Sequence, residues 1–226
     1  MNALADPRVG QYLNEYFASS FQKVATFRVA GGQKQGGNVA SYFCAPDGRV
    51  LHAVAGPVDA DTLLREARWV VETVQKLMKE SDGDGAKFKA LLRTAHAERL
   101  RRESGLVVEP VTFDAAEPGE DSALTYRDPS GRPLAPKLPP PPIDGPDVSF
   151  RMAQEAAAKA AGAMPAIDRR GRRWVLGNQG RVHHLLAAHA LTKIETVYGS
   201  VFEGILGEKV STKPVDVVTP FPWVKR

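Results

Sequence analysis

Apolar residues recur at three- and four-residue spacing in several stretches of the chain and bunch into strand-like runs between them. Asp6-Pro7, followed by Val9, Tyr12, Leu13, Tyr16 and Phe17, predicts a first helix, with Asp6 as cap and Pro7 at the first helical position. Phe21–Val29, with Val24, Thr26 and Phe27, reads as a strand, and Gly31, Gly32, Gly36 and Gly37 as a flexible connection after it. Val39–Ala45 and Arg49–Ala55 read as the strands of a hairpin joined by Pro46-Asp47-Gly48. In that triplet Pro presets φ, Asp bonds its own backbone and Gly accepts positive φ. After Gly56-Pro57, Asp59 is a plausible cap for a helix that places Leu63, Ala67, Val70, Val74 and Leu77 on one face. Leu64, Val71 and Met78 widen the stripe, and Ser81-Asp82-Gly83 ends it.

Residues 86–102 predict a further helix, with Lys87, Lys89, Arg93, Arg99, Arg101 and Arg102 around Phe88, Leu91, Leu92 and Leu100. The stretch 104–128 is acidic and weakly patterned, with a short strand at Leu106–Val111. Between Pro129 and Pro146 stand eight prolines, four of them consecutive, which predicts an extended linker outside any core. Beyond it, Met152–Ala161 reads as an alanine-rich helix capped by Ser149. Ala166-Ile167 and Trp174–Leu176 read as a small hairpin about Asp168–Gly171, and His183–Ala188 as a short helix. Thr192-Lys-Ile-Glu195 has the form of a capping box, opening a helix that buries Ile194, Val197, Tyr198, Val201, Phe202 and Ile205 and stops at Gly207. The expected organisation is thus a first unit over 1–82, a charged helix and irregular segment over 83–128, a Pro-rich linker over 129–148, and a basic, mainly helical module over 149–226.

Charge refines this division. Residues 151–226 hold 12 Lys/Arg and 6 Asp/Glu, a surplus of six positive charges, whereas the other 18 Lys/Arg and 20 Asp/Glu leave residues 1–150 at −2. No run approaches the roughly 20 apolar residues a bilayer span needs, and the N-terminus lacks the basic-then-apolar form of an export signal. The chain as written reads as cytoplasmic. A missing upstream export signal would make it periplasmic or secreted.

Two stretches carry a family resemblance. Asp6-Pro-Arg-Val9, then Tyr12-Leu13-Asn14 and Phe17, together with Tyr42-Phe-Cys-Ala-Pro-Asp-Gly-Arg-Val-Leu51, Gly56 and the helix from Asp61, resemble the later half of bacterial thioredoxin-like proteins. The resemblance covers about 80 residues and implies an α+β fold: a partial thioredoxin-like unit of helix, strand, β-hairpin and helix. It also implies a Cys-x-x-Cys motif shortly before Asp6 and a proline near Val39 facing the thiols. With Met1 five residues ahead of Asp6 there is no room for the first, and no proline occurs between Pro7 and Pro46. Two readings follow: a version without redox chemistry, or a thiol-disulfide oxidoreductase whose N-terminal half lies upstream.

Candidate chemistry is sparse. Cys44 is the one cysteine, so the chain can form neither an internal disulfide nor a thiolate metal site, and its mid-strand place beside Phe43 reads as a buried, inert thiol. His183, His184 and His189 crowd one segment, but zinc needs three or four convergent ligands. The five-residue step from His184 to His189 suits one helical face poorly, so they read as ordinary surface or interface histidines. His52, alternating with Leu51 and Ala53, reads as solvent-facing. The glycine-rich loop lacks the Gly-Lys-Ser/Thr and following helix of a phosphate cradle. Arg169, Arg170, Arg172 and Arg173 beside Trp174 form the sharpest basic cluster and could contact anions or nucleic acid. Binding nucleic acid normally takes a broader basic face, so a solvated hairpin turn is preferred. No catalytic, metal or cofactor residue is expected. The expected role is a non-catalytic interaction or structural one, with a sheet edge open to self-association or a protein partner unless the C-terminal module covers it.

Overall fold

In a computed structural model, residues 3–21, 28–30, 33–35, 38–108, 138, 141, 143–144, 164–167, 173–208, 210 and 216–218 are described. They form a mixed α+β structure in which helices surround a small antiparallel hairpin.

Helix α1 spans Pro7–Tyr16, with the Asp6 carboxylate accepting from the Arg8 N–H. Strands β1 (Arg28–Ala30) and β2 (Gln33–Gln35) pair antiparallel, so the glycine-flanked segment expected as a plain connection holds a strand. Of the strand expected over Phe21–Val29, Arg28 and Val29 lie in β1, and residues 22–27 lie outside the described set.

The central hairpin is β3 (Ala40–Cys44) and β4 (Val50–Ala55), with a register shift at Phe43/Cys44. Its turn has the expected chemistry: the Gly48 N–H donates to Ala45 O at 2.9 Å, and Gly48 sits at φ +83°. Asp59 caps α2 (Ala60–Ser81) by accepting from the Thr62 N–H, and Asp82, with φ +51°, and Gly83 end it. Leu63, Leu64, Ala67, Val70 and Leu77 are buried, while Met78, expected on the same stripe, is 63% exposed. Helix α3 (Gly85–Ser104) leads to β5 (Val107–Val108), which pairs with β6 (Ile143–Asp144).

The Pro-rich segment was expected to stand clear of the core, but its described residues touch it. Pro141 is buried, and the Leu138 N–H donates to Ser200 Oγ at 2.7 Å. The predicted Met152–Ala161 helix, its Ser149 cap and the polar turn 168–171 lie outside the described residues. The hairpin around that turn is present as β7 (Met164–Ile167) and β8 (Arg173–Leu176). Helix α4 runs over Asn178–His189, longer than its apolar run suggested.

The capping box is a correction. Thr192 O accepts from the Val50 N–H at 2.9 Å, so the chain stays extended through Lys193, and α5 (Ile194–Gly199) begins without a side-chain cap. Helix α5 continues as a π-helical turn, Ser200–Ile205, whose last carbonyls accept from the Arg181 guanidinium, and Gly207 at φ +67° follows. A last strand, β9 (Asp216–Val218), pairs parallel to β1.

The outer edge of β4 is closed without a strand beside it. The Leu191 N–H donates to Val50 O at 2.8 Å, and Ile194 N–H to Gly48 O at 3.1 Å. Leu191 reaches this position at φ +62°, a left-handed turn with no glycine. Further along the same edge, side chains replace a neighbouring backbone. His96 Nε2 lies 2.9 Å from Leu51 O, Gln179 Nε2 donates to Ala53 O at 2.9 Å, and Asn178 Nδ2 reaches Ala55 O at 3.4 Å. This edge is thus covered by an extended turn and by three side chains, one from α3 and two from α4.

Candidate functional site

All five histidines of the chain, His52, His96, His183, His184 and His189, are buried, at 0%, 0%, 0%, 8% and 6% exposure. The surface reading of His183, His184 and His189 and the solvent-facing reading of His52 are therefore both overturned. Alternation fails in β4 because every residue from Val50 to Ala55 is buried: α2, α3 and α4 cover the face that would otherwise meet water. A strand buried on both faces carries a continuous apolar run, and Val-Leu-His-Ala-Val-Ala is such a run with one polar member.

Three of these histidines converge. His52 comes from β4, His96 from α3 and His183 from α4, and their ring centroids are 5.0–5.5 Å apart. One ring nitrogen from each lies within 4.8 Å of those from the others. His96 Nδ1 and His183 Nδ1 are 2.8 Å apart. Trp69 stands edge-on over all three rings, at 4.9, 5.0 and 5.3 Å. His184 and His189 take no part in this convergence, and His184 Nε2 instead meets Pro141 O at 2.6 Å.

A charged group backs the cluster. Glu66, 1% exposed, projects from α2 with Oε2 3.1 Å from His52 Nε2 and Oε1 2.7 Å from the Arg99 guanidinium. Arg99 is 4% exposed, also pairs with Glu103 at 2.7 Å, and stacks over Trp69 at 4.7 Å. Arg99, one of the six cations placed on this helix from the sequence, is thus a core residue. Its burial is possible because two carboxylates neutralise it.

Burial disfavours the charged form of all three rings. Burial drives His52 below the ordinary histidine range despite the Glu66 carboxylate beside it. Burial, and then the neighbouring His52, push His96 and His183 well below it. Burial alone would raise Glu66, but His52 and Arg99 outweigh it and hold the carboxyl below its usual value. An ionised carboxylate only accepts, so the proton on His52 Nε2 points at Glu66. Gln179 Nε2, 3.0 Å from the same nitrogen, carries two N–H donors and gives one of them to Ala53 O. His96 Nε2 likewise donates to Leu51 O. These tautomers follow from the partners, and they leave Nδ1 of both rings with a lone pair. His52 Nδ1, His183 Nε2 and Arg99 Nη1 are buried without a hydrogen-bond partner among the described residues.

The other candidates lie elsewhere. Cys44 is half-buried at the far end of β3 beside the turn. Burial first, then Glu195 and Asp47, push its thiol up to about 11, opposite to what a nucleophilic thiol needs. Arg169, Arg170 and Arg172 lie outside the described residues, and of Arg173 only the strand placement is described. No described helix is long and apolar enough to cross a membrane. Compared with protein-family models, curated proteins and solved structures, the chain matches none.

Proposed function

We propose that this chain has a non-catalytic, structural or interaction role, built on a thioredoxin-like arrangement over residues 1–82 and not on thiol exchange. One observation carries the reading. The polar groups that converge, His52, Glu66, His96, Arg99 and His183, are each at most 4% exposed, so no substrate atom can reach them in this conformation. The concavity lined by Glu72, Gln75, Lys76, Lys79 and Glu80 on α2 includes none of them. Cys44, the single thiol of these 226 residues, stands apart from the cluster with its reactivity suppressed. The order helix, hairpin, capped amphipathic helix supports the thioredoxin-like part of the reading, because α1, β3–β4 and α2 follow one another as that family's later elements would.

In this role the cluster is a junction. It ties α2, α3 and α4 to β4 through buried, directional contacts that apolar packing alone would not specify. The test is catalysed reduction of insulin disulfides by the purified chain in dithiothreitol. The expected rate equals that of Cys44→Ser and of buffer; a rate above buffer that Cys44→Ser abolishes overturns the reading.

A further inference from the structure

We propose that His52, His96 and His183 form a site for one borderline divalent transition-metal ion, with zinc the best match. Zinc takes imidazole nitrogens at about 2.0–2.1 Å, which sets tetrahedral ligands about 3.3 Å from one another. The cluster comes close to that spacing: His96 Nδ1 and His183 Nδ1 stand 2.8 Å apart, and one nitrogen of each ring lies within 4.8 Å of those of the others.

The outer contacts match what ligating histidines need. A ligating imidazole commonly donates its other N–H to a carboxylate or a backbone carbonyl, which fixes the ring and raises its basicity. His52 does so to Glu66, and His96 to Leu51 O. Both rings then offer Nδ1, and for His52 that atom is buried with no other use. His183 has no outer partner. Without an ion its Nδ1–H fills the 2.8 Å gap to His96 Nδ1 and leaves its Nε2 bare; with one, its proton moves to Nε2 and Nδ1 becomes a ligand. Binding therefore needs a tautomer exchange at one ring.

Charge does not oppose the ion. Arg99 and Arg65 carry two positive charges beside it, and Glu66 and Glu103 balance them with two negative ones. All-nitrogen, thiol-free ligation suits zinc, cobalt, nickel or copper, and disfavours calcium and magnesium, which take oxygen. Because Trp69 and the surrounding helices seal the rings, the ion is taken up as the chain folds and acts as a structural clamp.

The experiment uses the full-length chain without a histidine tag, refolded from guanidinium with a chelator and then with Co²⁺. The expected result is one Co²⁺ per chain with visible ligand-field absorption, its displacement by Zn²⁺, and a thermal midpoint raised by several degrees with either ion. Cys44→Ser keeps all three signals. His96→Gln and His183→Gln each weaken Co²⁺ binding at least about 100-fold. A chain that refolds in chelator and takes up no Co²⁺, or uptake unchanged in both histidine variants, overturns the site. Should a variant fail to fold, X-ray absorption of the wild-type cobalt complex decides. Three imidazole nitrogens uphold the site, and fewer overturn it.

Discussion

Strands β3 and β4 face each other across one hairpin, yet they carry opposite kinds of chemistry. In β4 every residue is buried, and its one polar side chain, His52, sits in a charge-backed cluster. In β3 only Phe43 is buried, and its one reactive atom, the Cys44 sulfur, is half-covered and without a cation. Phe43 and His52 are register partners and stack at 6.1 Å, so the two environments meet at a single pair. What separates them is the layer behind each strand. Helices α2, α3 and α4 close over β4, and desolvation there is strong enough to make a polar side chain either fully partnered or costly.

The comparison breaks most decisively at Glu66. Glu66→Ala leaves Arg99 and His52 buried without their carboxylate and is expected to cost about 3–5 kcal/mol of unfolding free energy in urea titrations. Asp47→Ala, which removes the exposed ion pair with Arg49 at the hairpin turn, should cost less than about 1 kcal/mol. If the two losses prove equal, burial is not what distinguishes the strands.

A pair in register sharpens it next. Val54→Ala in β4 removes buried methyl groups and should cost about 2 kcal/mol, whereas Ser41→Ala, opposite it in β3, should stay within about 0.5 kcal/mol. Gln179→Ala strips Ala53 O of its donor and should cost roughly 1–2 kcal/mol, with faster hydrogen exchange in β4 as the second readout. Cys44→Ser should cost less than about 1 kcal/mol. The wild-type Cys44 thiol should alkylate at pH 8 at least about 100-fold more slowly than in guanidinium, the rate rising with pH until about 11 as the thiolate forms.

Local chemistry was legible in the sequence and convergence was not. Asp6-Pro7, Asp59, the Pro46-Asp47-Gly48 turn and Asp82-Gly83 act within four residues of themselves, and each does in the structure what its side chain dictates. The cluster unites residues from β4, α2, α3 and α4, and its closest histidine pair, His96 and His183, is 87 positions apart, so no spacing rule reaches it. A weaker signal was available: a polar residue inside an apolar stripe. His52 interrupts the apolar run of β4, Glu66 lies between Leu63 and Val70, and His96 stands four positions from both Leu92 and Leu100. Each alone reads as a solvent-facing residue. Together they mark what the core is built around. The Thr192 capping box failed for the converse reason, because a backbone bond to Val50 claimed the carbonyl and held the segment extended.

The turn that closes β4 also sets a timetable. Arg49 and Leu191 are joined across 142 positions, so the hairpin leaves the ribosome long before the segment that seals it. At about 5–20 residues per second the exposed backbone waits roughly 7–28 s for its cover, an interval in which a chaperone or a neighbouring nascent strand competes for the same unpaired groups. Translation speed between these two points is therefore a determinant of yield.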